Sequence, residues 1–486
     1  MATILVCSLG GKCLLGPQSF EMPPKVAEVR AQVMATLDSF GPDQTLVLLK
    51  QGTVLSDTDV LEGGCLEEPL SITMVLTSRT FRAVVWGQST EGPRWAEVSE
   101  QLDRGIQSVA ATGSAFAAVM SSGKVLAWGD EEAGGDPGLA DLDKGVLQVI
   151  GNDKAFAALK VGGEVVAWGH PDAGGAPPEE VKTQLRSGVV SVAHTMQAFA
   201  ALKETGEVLT WGDAEFGGDS SAVEGGSLKD VVSVVGSWGE TRGAFVALTS
   251  TGAVVTWGRL DEDGGTMMGA AAEKLQSGVK SITPGGCAFC ALKESGEVVC
   301  WGDPERGGEL AVCPTGDNED SPPWRSVEEE LSSGVLSVVG SDDVFVALKE
   351  GGKVVTWGCA EDGAHLEPEL SKQLQSDVVS VSTGIASFAA LKADGSVVTW
   401  GVDMYGGDST SVADKLQSGV IKIPSFSTKM YSFAAVKDDG SLVVWGGMGT
   451  EPFCRPEDEL AEGVLDVVGN FGGYVVLKEA KVSGSE

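Results

Sequence analysis

Three histidines and three tyrosines in 486 residues leave little material for several common chemistries. His170, His194 and His365 fall far apart, with no matched serine or cysteine context, so a nucleophilic triad is not expected. No Gly-x-x-x-x-Gly-Lys-Ser/Thr loop is present to cradle phosphates. No apolar run approaches the roughly 18 to 20 residues of a membrane span. The opening MATILVCSLGG lacks a basic stretch followed by a long apolar core, so it does not read as a secretory signal. Positive charge is scarce as well: 34 Lys+Arg stand against 69 Asp+Glu, a net charge of −35. A surface of that sign repels phosphate backbones, and Lys and Arg are scattered singly, so nucleic acid is not an expected partner. The nine cysteines are odd in number and irregularly spaced. Cys7, Cys13, Cys287, Cys290 and Cys300, in or beside expected strands, read as reduced thiols filling small core sites. These absences give the expectation of a soluble, intracellular, monomeric protein, cytoplasmic with the nucleus open to it, with no cofactor, no metal and no membrane partner.

What is present is repetition. A short strand ending in Trp-Gly occurs at Trp86, Trp128, Trp168, Trp211, Trp257, Trp301, Trp357, Trp400 and Trp445, in steps of 42, 40, 43, 46, 44, 56, 43 and 45 residues. A period in this range marks one supersecondary unit copied along the chain and stacked to share a core. Each unit carries two further segments. GVxSV or a near copy comes first, as at 188–192; AFAALK or a near copy follows, with an aromatic at Phe116, Phe156, Phe199, Phe245, Phe289, Phe345, Phe388, Phe433 and Tyr474. Turns such as ETGE, ADGS and DDGS then lead into the Trp-Gly strand, which makes each unit a three-stranded antiparallel meander at least. The middle segment is apolar on both faces, as expected of a strand lying between two neighbouring sheets. The last unit has no Trp-Gly strand after YVVLK, while FRAVVWG at 81–87 precedes the first unit. Pairing those two would complete the last blade and fasten a ring. The expected fold is mainly β: a large propeller of about nine short Trp-Gly repeats at 78–478, with a tail at 479–486.

Residues 1 to 77 read differently. Two β-rich runs flank Gly10-Gly11; Pro23-Pro24 opens a helix, KVAEVRAQVMATL, with Val26, Val29, Val33 and Leu37 on one face; 46–49 and 71–76 are further strands. With SLGGK at 8–12, GPDQTLVLL at 41–49, LSD at 55–57 and SITMVL at 71–76, the segment resembles ubiquitin-like domains. That resemblance implies a small α+β (β-grasp) fold and an apolar contact patch at Leu9, Val47 and Val75. Thr73 replaces the histidine beside that patch, and no Gly-Gly follows the last strand, so conjugation is not implied.

The repeats resemble the regulator-of-chromosome-condensation repeat family over about 400 residues. Two features depart from it: Ala-Phe or Ser-Phe replaces the usual His-Thr pair, and the units are shorter, closer to the bacterial β-lactamase-inhibitor propeller. Together the resemblances imply a non-enzymatic interaction scaffold or adaptor, with partners in the ubiquitin system. The alternatives are a guanine-nucleotide exchange regulator of a small GTPase and a protein inhibitor of an enzyme. Carboxylate loops such as DEEAGGD at 130 lack calcium-loop spacing and read as solvated turns. Cys287-Ala-Phe-Cys290 lies in a strand whose alternation points the two thiols apart, so zinc is not expected. Trp324, in the Pro-rich insertion of the longest unit, and Trp238, in GSWGETRG, are the candidate contact tryptophans.

Overall fold

The computed structural model describes the strands at 2–8, 13–20, 44–50, 53–54 and 70–78, Val29, and residues 81–486 except 88–93, 222, 224–227, 240, 260–270, 315–323, 425–431, 448–459, 471–472 and 480–486. The chain divides into two compact units, Met1–Thr80 and Phe81–Glu486.

In the first unit, β1 (Ala2–Ser8), β2 (Cys13–Phe20), β3 (Gln44–Lys50), β4 (Thr53–Val54) and β5 (Leu70–Ser78) form one sheet in the order β2-β1-β5-β3-β4. The central pair, β1 and β5, is parallel; the other pairs are antiparallel. A parallel pair demands a long crossover, and the chain between β2 and β3 supplies it. Val29 in that crossover is helical and buried. The rest of the helix expected there lies outside the described residues.

The second unit is built from nine three-stranded antiparallel sheets. Six stand alone, one is widened by two short strands, and two are joined edge to edge. Numbered in chain order, the blades span 106–129, 146–169, 189–212, 231–258, 279–302, 335–359, 378–401, 420–446, and 464–479 together with 81–87. Blade 3 shows the pattern: inner strand Val189–His194, middle strand Ala198–Lys203, outer strand Val208–Gly212. Its middle strand buries Phe199, Ala200 and Ala201 completely. A strand covered on both faces has sheets above and below it, and alanine lets those sheets come close.

Two belts of backbone hydrogen bonds tie the blades into a ring. On one rim, the first residue of most inner strands donates to the turn of the preceding blade. Val189 bonds Gly163 O (3.0 Å), Val231 bonds Gly206 O (3.1 Å), Val279 bonds Gly252 O (3.2 Å) and Val464 bonds Gly440 O (2.9 Å). The approach is so close that a Cβ on Gly163, at φ +78°, would lie 2.6 Å from Gly188 N. Glycine is therefore required there for conformation and for space. On the opposite rim, the turns between inner and middle strands bond to one another: Gly113 N to Asp153 O (2.8 Å), Asp153 N to Met196 O (3.1 Å), Gly286 N to Asp342 O (3.0 Å). Strand Phe81–Gly87 pairs antiparallel with Gly473–Glu479, setting Trp86 opposite Tyr474, and Phe81 also pairs with Ile106 of blade 1. Asn470 donates its side-chain amide to Ala115 O (3.1 Å), from the ninth blade to the first. The ring of blades is a closed β-propeller, which leaves few open sheet ends.

One sequence expectation is corrected here. Cys290 and Cys300 are not free thiols but a disulfide joining the middle and outer strands of blade 5, where they sit directly opposite in register. Their pairing follows from hairpin length: with Leu292 opposite Val298 across the turn, Cys290 must meet Cys300. Among the described residues no helix is long and apolar enough to cross a membrane.

Candidate interaction surfaces

Most of the repeated side chains are occupied in docking one blade to the next. In the loop after Trp211, Asp213 accepts the backbone N–H of Glu215 (2.8 Å) and shapes a tight turn. Gly217, at φ +85°, then lies against the ring of Phe245 in blade 4. Its carbonyl accepts the indole N–H of Trp257 (3.1 Å), which stacks on Phe245 at a centroid distance of 5.4 Å. The same device recurs at Asp130, Gly134, Phe156 and Trp168. The carboxylate loops are thus turns that clamp the next blade's aromatic pair. Among the described residues no group of three or more His, Cys, Asp or Glu side chains could hold a metal ion.

Sequence reasoning missed a second device, although its signal was the lysine ending most of the AFAALK-type segments. Lys160, Lys203 and Lys392 donate their ammonium groups to the carbonyls of Asp141, Gln184 and Gln373 (3.0, 3.0 and 2.8 Å). For Lys203 and Lys392 those carbonyls close the short outer helices, Glu179–Gln184 and Pro368–Gln373, where a cation is favourable.

What does not repeat is left to carry individuality. Trp324 is 41% exposed and stands in a groove of about 560 Å³ beside the outer strand of blade 5, with Lys274, Val299, Leu310 and Glu328. Trp238 lies elsewhere, on the inner-to-middle turn of blade 4. It is half-buried, and its backbone N–H approaches Gly285 O of blade 5 (3.4 Å). Nearby, Arg306 pairs with Asp343 (2.9 Å). Burial pushes the Asp343 carboxyl above its ordinary value, with Arg306 opposing. Burial also raises the Cys287 thiol and, with Asp362 beside it, pushes Cys359 up to about 12. Such thiols stay protonated and make poor nucleophiles. A further repeated position is exposed: the residue at the register step of the inner strand is Leu147, Val190, Val232, Leu336, Val379 or Ile421 in most blades, interrupted by Lys280 in blade 5.

A second groove, of about 690 Å³, follows the outer strand of blade 3. Asp172, Glu180, Asp213 and Asp219 line it. Asp219 accepts the Ser221 N–H (2.8 Å), a bond that holds its carboxyl below the usual carboxylate range. In the N-terminal unit, Val47 and Val75 are directly opposed on β3 and β5. Leu9, the third residue of the expected patch, lies outside the described residues.

No protein-family model and no curated protein sequence matches the chain. Solved structures do align with it. Human WBSCR16 shares 16% identity over 83% of this chain and 99% of its own, with a TM-score of 0.38. Prp20p of Saccharomyces cerevisiae, whose structure is described with its binding to Gsp1p and histones, shares 16% over 83% and 92%, also with a TM-score of 0.38. The same yeast protein, there called RCC1 and bound to Kap60, gives 16% over 82% and 89%, with a TM-score of 0.39.

Proposed function

We propose that the protein is a non-enzymatic scaffold for protein–protein contacts. The observation that carries this reading is Trp324, an indole left 41% exposed in a groove beside the outer strand of blade 5, whereas the Trp-Gly tryptophans from Trp128 to Trp445 are buried. Exposed tryptophans on rigid supports are favoured anchors of binding energy, because large area is buried at little conformational cost. The acidic surface favours basic partner surfaces and disfavours polyanions.

The finer reading is an adaptor linked to the ubiquitin system. It is supported by the β2-β1-β5-β3-β4 order with a parallel central pair, and by the opposition of Val47 and Val75 on adjacent strands. The test is quantitative co-purification with the full chain, its Trp324→Ala variant and its Val47→Ala, Val75→Ala variant. The reading expects Trp324→Ala to lose a defined set of proteins, and the valine variant to lose ubiquitin-ligase or proteasome components. Identical sets from all three chains would remove it.

A further inference from the structure

In blade 6 the chain shows what can cover the outer edge of a sheet. Strand Ala311–Cys313, supplied by the long loop after blade 5, lies parallel to the outer strand Val354–Cys359, with Val312 opposite Gly358 and Cys313 opposite Cys359. Arg325–Ser326 then pairs with it on the far side. Val312 is buried in the blade 6 core beside Val344 and Val354. The added strand is thus held by backbone pairing and by one inward side chain.

Blade 3 lacks this cover. Val208–Gly212 is the last strand of its sheet, and among the described residues no strand pairs with its outer edge. The groove of about 690 Å³ runs along this edge, lined by Val208, Leu209 and Thr210 of the strand and by Pro178 and Val181 of the preceding loop and helix. Thr210 Oγ1 donates to Ser220 Oγ (3.1 Å), which also lines it. Every ionisable side chain lining the groove is a carboxylate: Asp172, Glu180, Asp213 and Asp219. Unpaired strand edges recruit extended segments through main-chain hydrogen bonds, while side chains alternating to either face confer selectivity.

We propose that this groove is a strand-addition site for an extended protein segment bearing lysine or arginine at alternating positions. The segment adds parallel to Val208–Gly212, by backbone pairing of the kind Ala311–Cys313 makes with Gly358 and Cys359 of blade 6, with its aliphatic side chains on one face and its cationic ones on the other, toward the groove's carboxylates. A second copy of this chain is a poor occupant, because both edges would bring carboxylates together at a net charge of −35 each. The proposal rests on the scaffold reading and assigns the chemistry of one of its partners.

The test uses the full chain and three synthetic peptides followed by fluorescence anisotropy: an alternating Lys/Val peptide, its Glu/Val counterpart, and the Lys/Val peptide with alternate backbone nitrogens methylated. The Lys/Val peptide should bind at low salt. Binding should weaken by about tenfold or more with Asp172→Asn, Asp219→Asn, with the Glu/Val sequence, and with methylation, which removes the strand's donors. Hydrogen exchange should slow at 208–212 when the Lys/Val peptide is bound. Equal binding of the methylated peptide, slowing confined to other strands, or no binding at all would overturn the proposal. So would concentration-dependent dimerisation that protects 208–212 without peptide, since the occupant would then be a second copy. Failure here alongside partner loss on Trp324→Ala would leave the scaffold reading standing. Peptide binding with unchanged partners on Trp324→Ala would do the reverse.

Discussion

At the scale of single residues, Gly162 and Gly163 separate two reasons for glycine. Both have positive φ, at +87° and +78°, but a Cβ on Gly162 meets nothing within 4 Å while one on Gly163 meets the backbone of blade 3. Gly162→Ala should therefore cost only the conformational penalty, about 1 kcal/mol. Gly163→Ala must also push two blades apart and should cost about 3 kcal/mol or more in denaturant titration. Similar costs would mean that the close approach between blades has no energetic weight. Asp343 gives a pH-dependent counterpart. Its raised pKa means the folded chain binds a proton there more readily than the unfolded chain. The stability it contributes is full below the ordinary value of 3.8 and is lost as pH climbs through the raised value. Asp343→Asn should thus gain on the wild type as pH rises across that window, in parallel denaturation curves; a constant difference would contradict the burial argument. Cys359, pushed up to about 12, should react with a thiol reagent far more slowly at pH 8 than a free cysteine does.

At the scale of the element, the closing strand Phe81–Gly87 is the clearest case. Ala83 N donates outward to Leu102 O (2.9 Å), so by the two-residue period Val84 N faces Gly473–Glu479. Val84→Pro should remove a ladder bond and distort the strand, costing more than the ~1 kcal/mol of one hydrogen bond. Melting temperature should fall well below that of Val84→Ala; equal values would show that the ring does not depend on this seam. Elements of this kind were legible in the sequence because their signals are local. GVxSV, AFAALK and the Trp-Gly run each sit within one strand, and a turn of fixed length sets their register. What was not legible needed a residue one blade away. Gly217 looks like a turn glycine until Phe245 is seen beneath it, and the lysine of AFAALK looks solvated until the Gln184 carbonyl stands in front of it. The Cys290–Cys300 pairing is legible only through hairpin register, because no spacing within a single strand brings the two together.

At the scale of the whole molecule, repetition and individuality divide the work. The repeated tryptophans, phenylalanines and glycines hold blade to blade, and the loop carboxylate shapes the turn that sets each glycine against the next aromatic pair. In the proposed reading, function falls to what varies: the insertion that carries Trp324 and adds a strand to blade 6, the acidic edge of blade 3, and the opposed valines of the N-terminal sheet. Trp324, Val47 and Val75 were nameable from sequence, but no period or motif could announce the edge coverage of blades 3 and 6, which is a property of the assembled ring. An adaptor must hold partners at separate surfaces at the same time. The measurement that tests this most directly is sequential affinity purification: complexes captured through the full chain are isolated again through a protein whose binding depends on Val47 and Val75. The account predicts that proteins dependent on Trp324 remain in the second eluate. Two sets that never occur in one complex, or that respond to both substitutions alike, would contradict it.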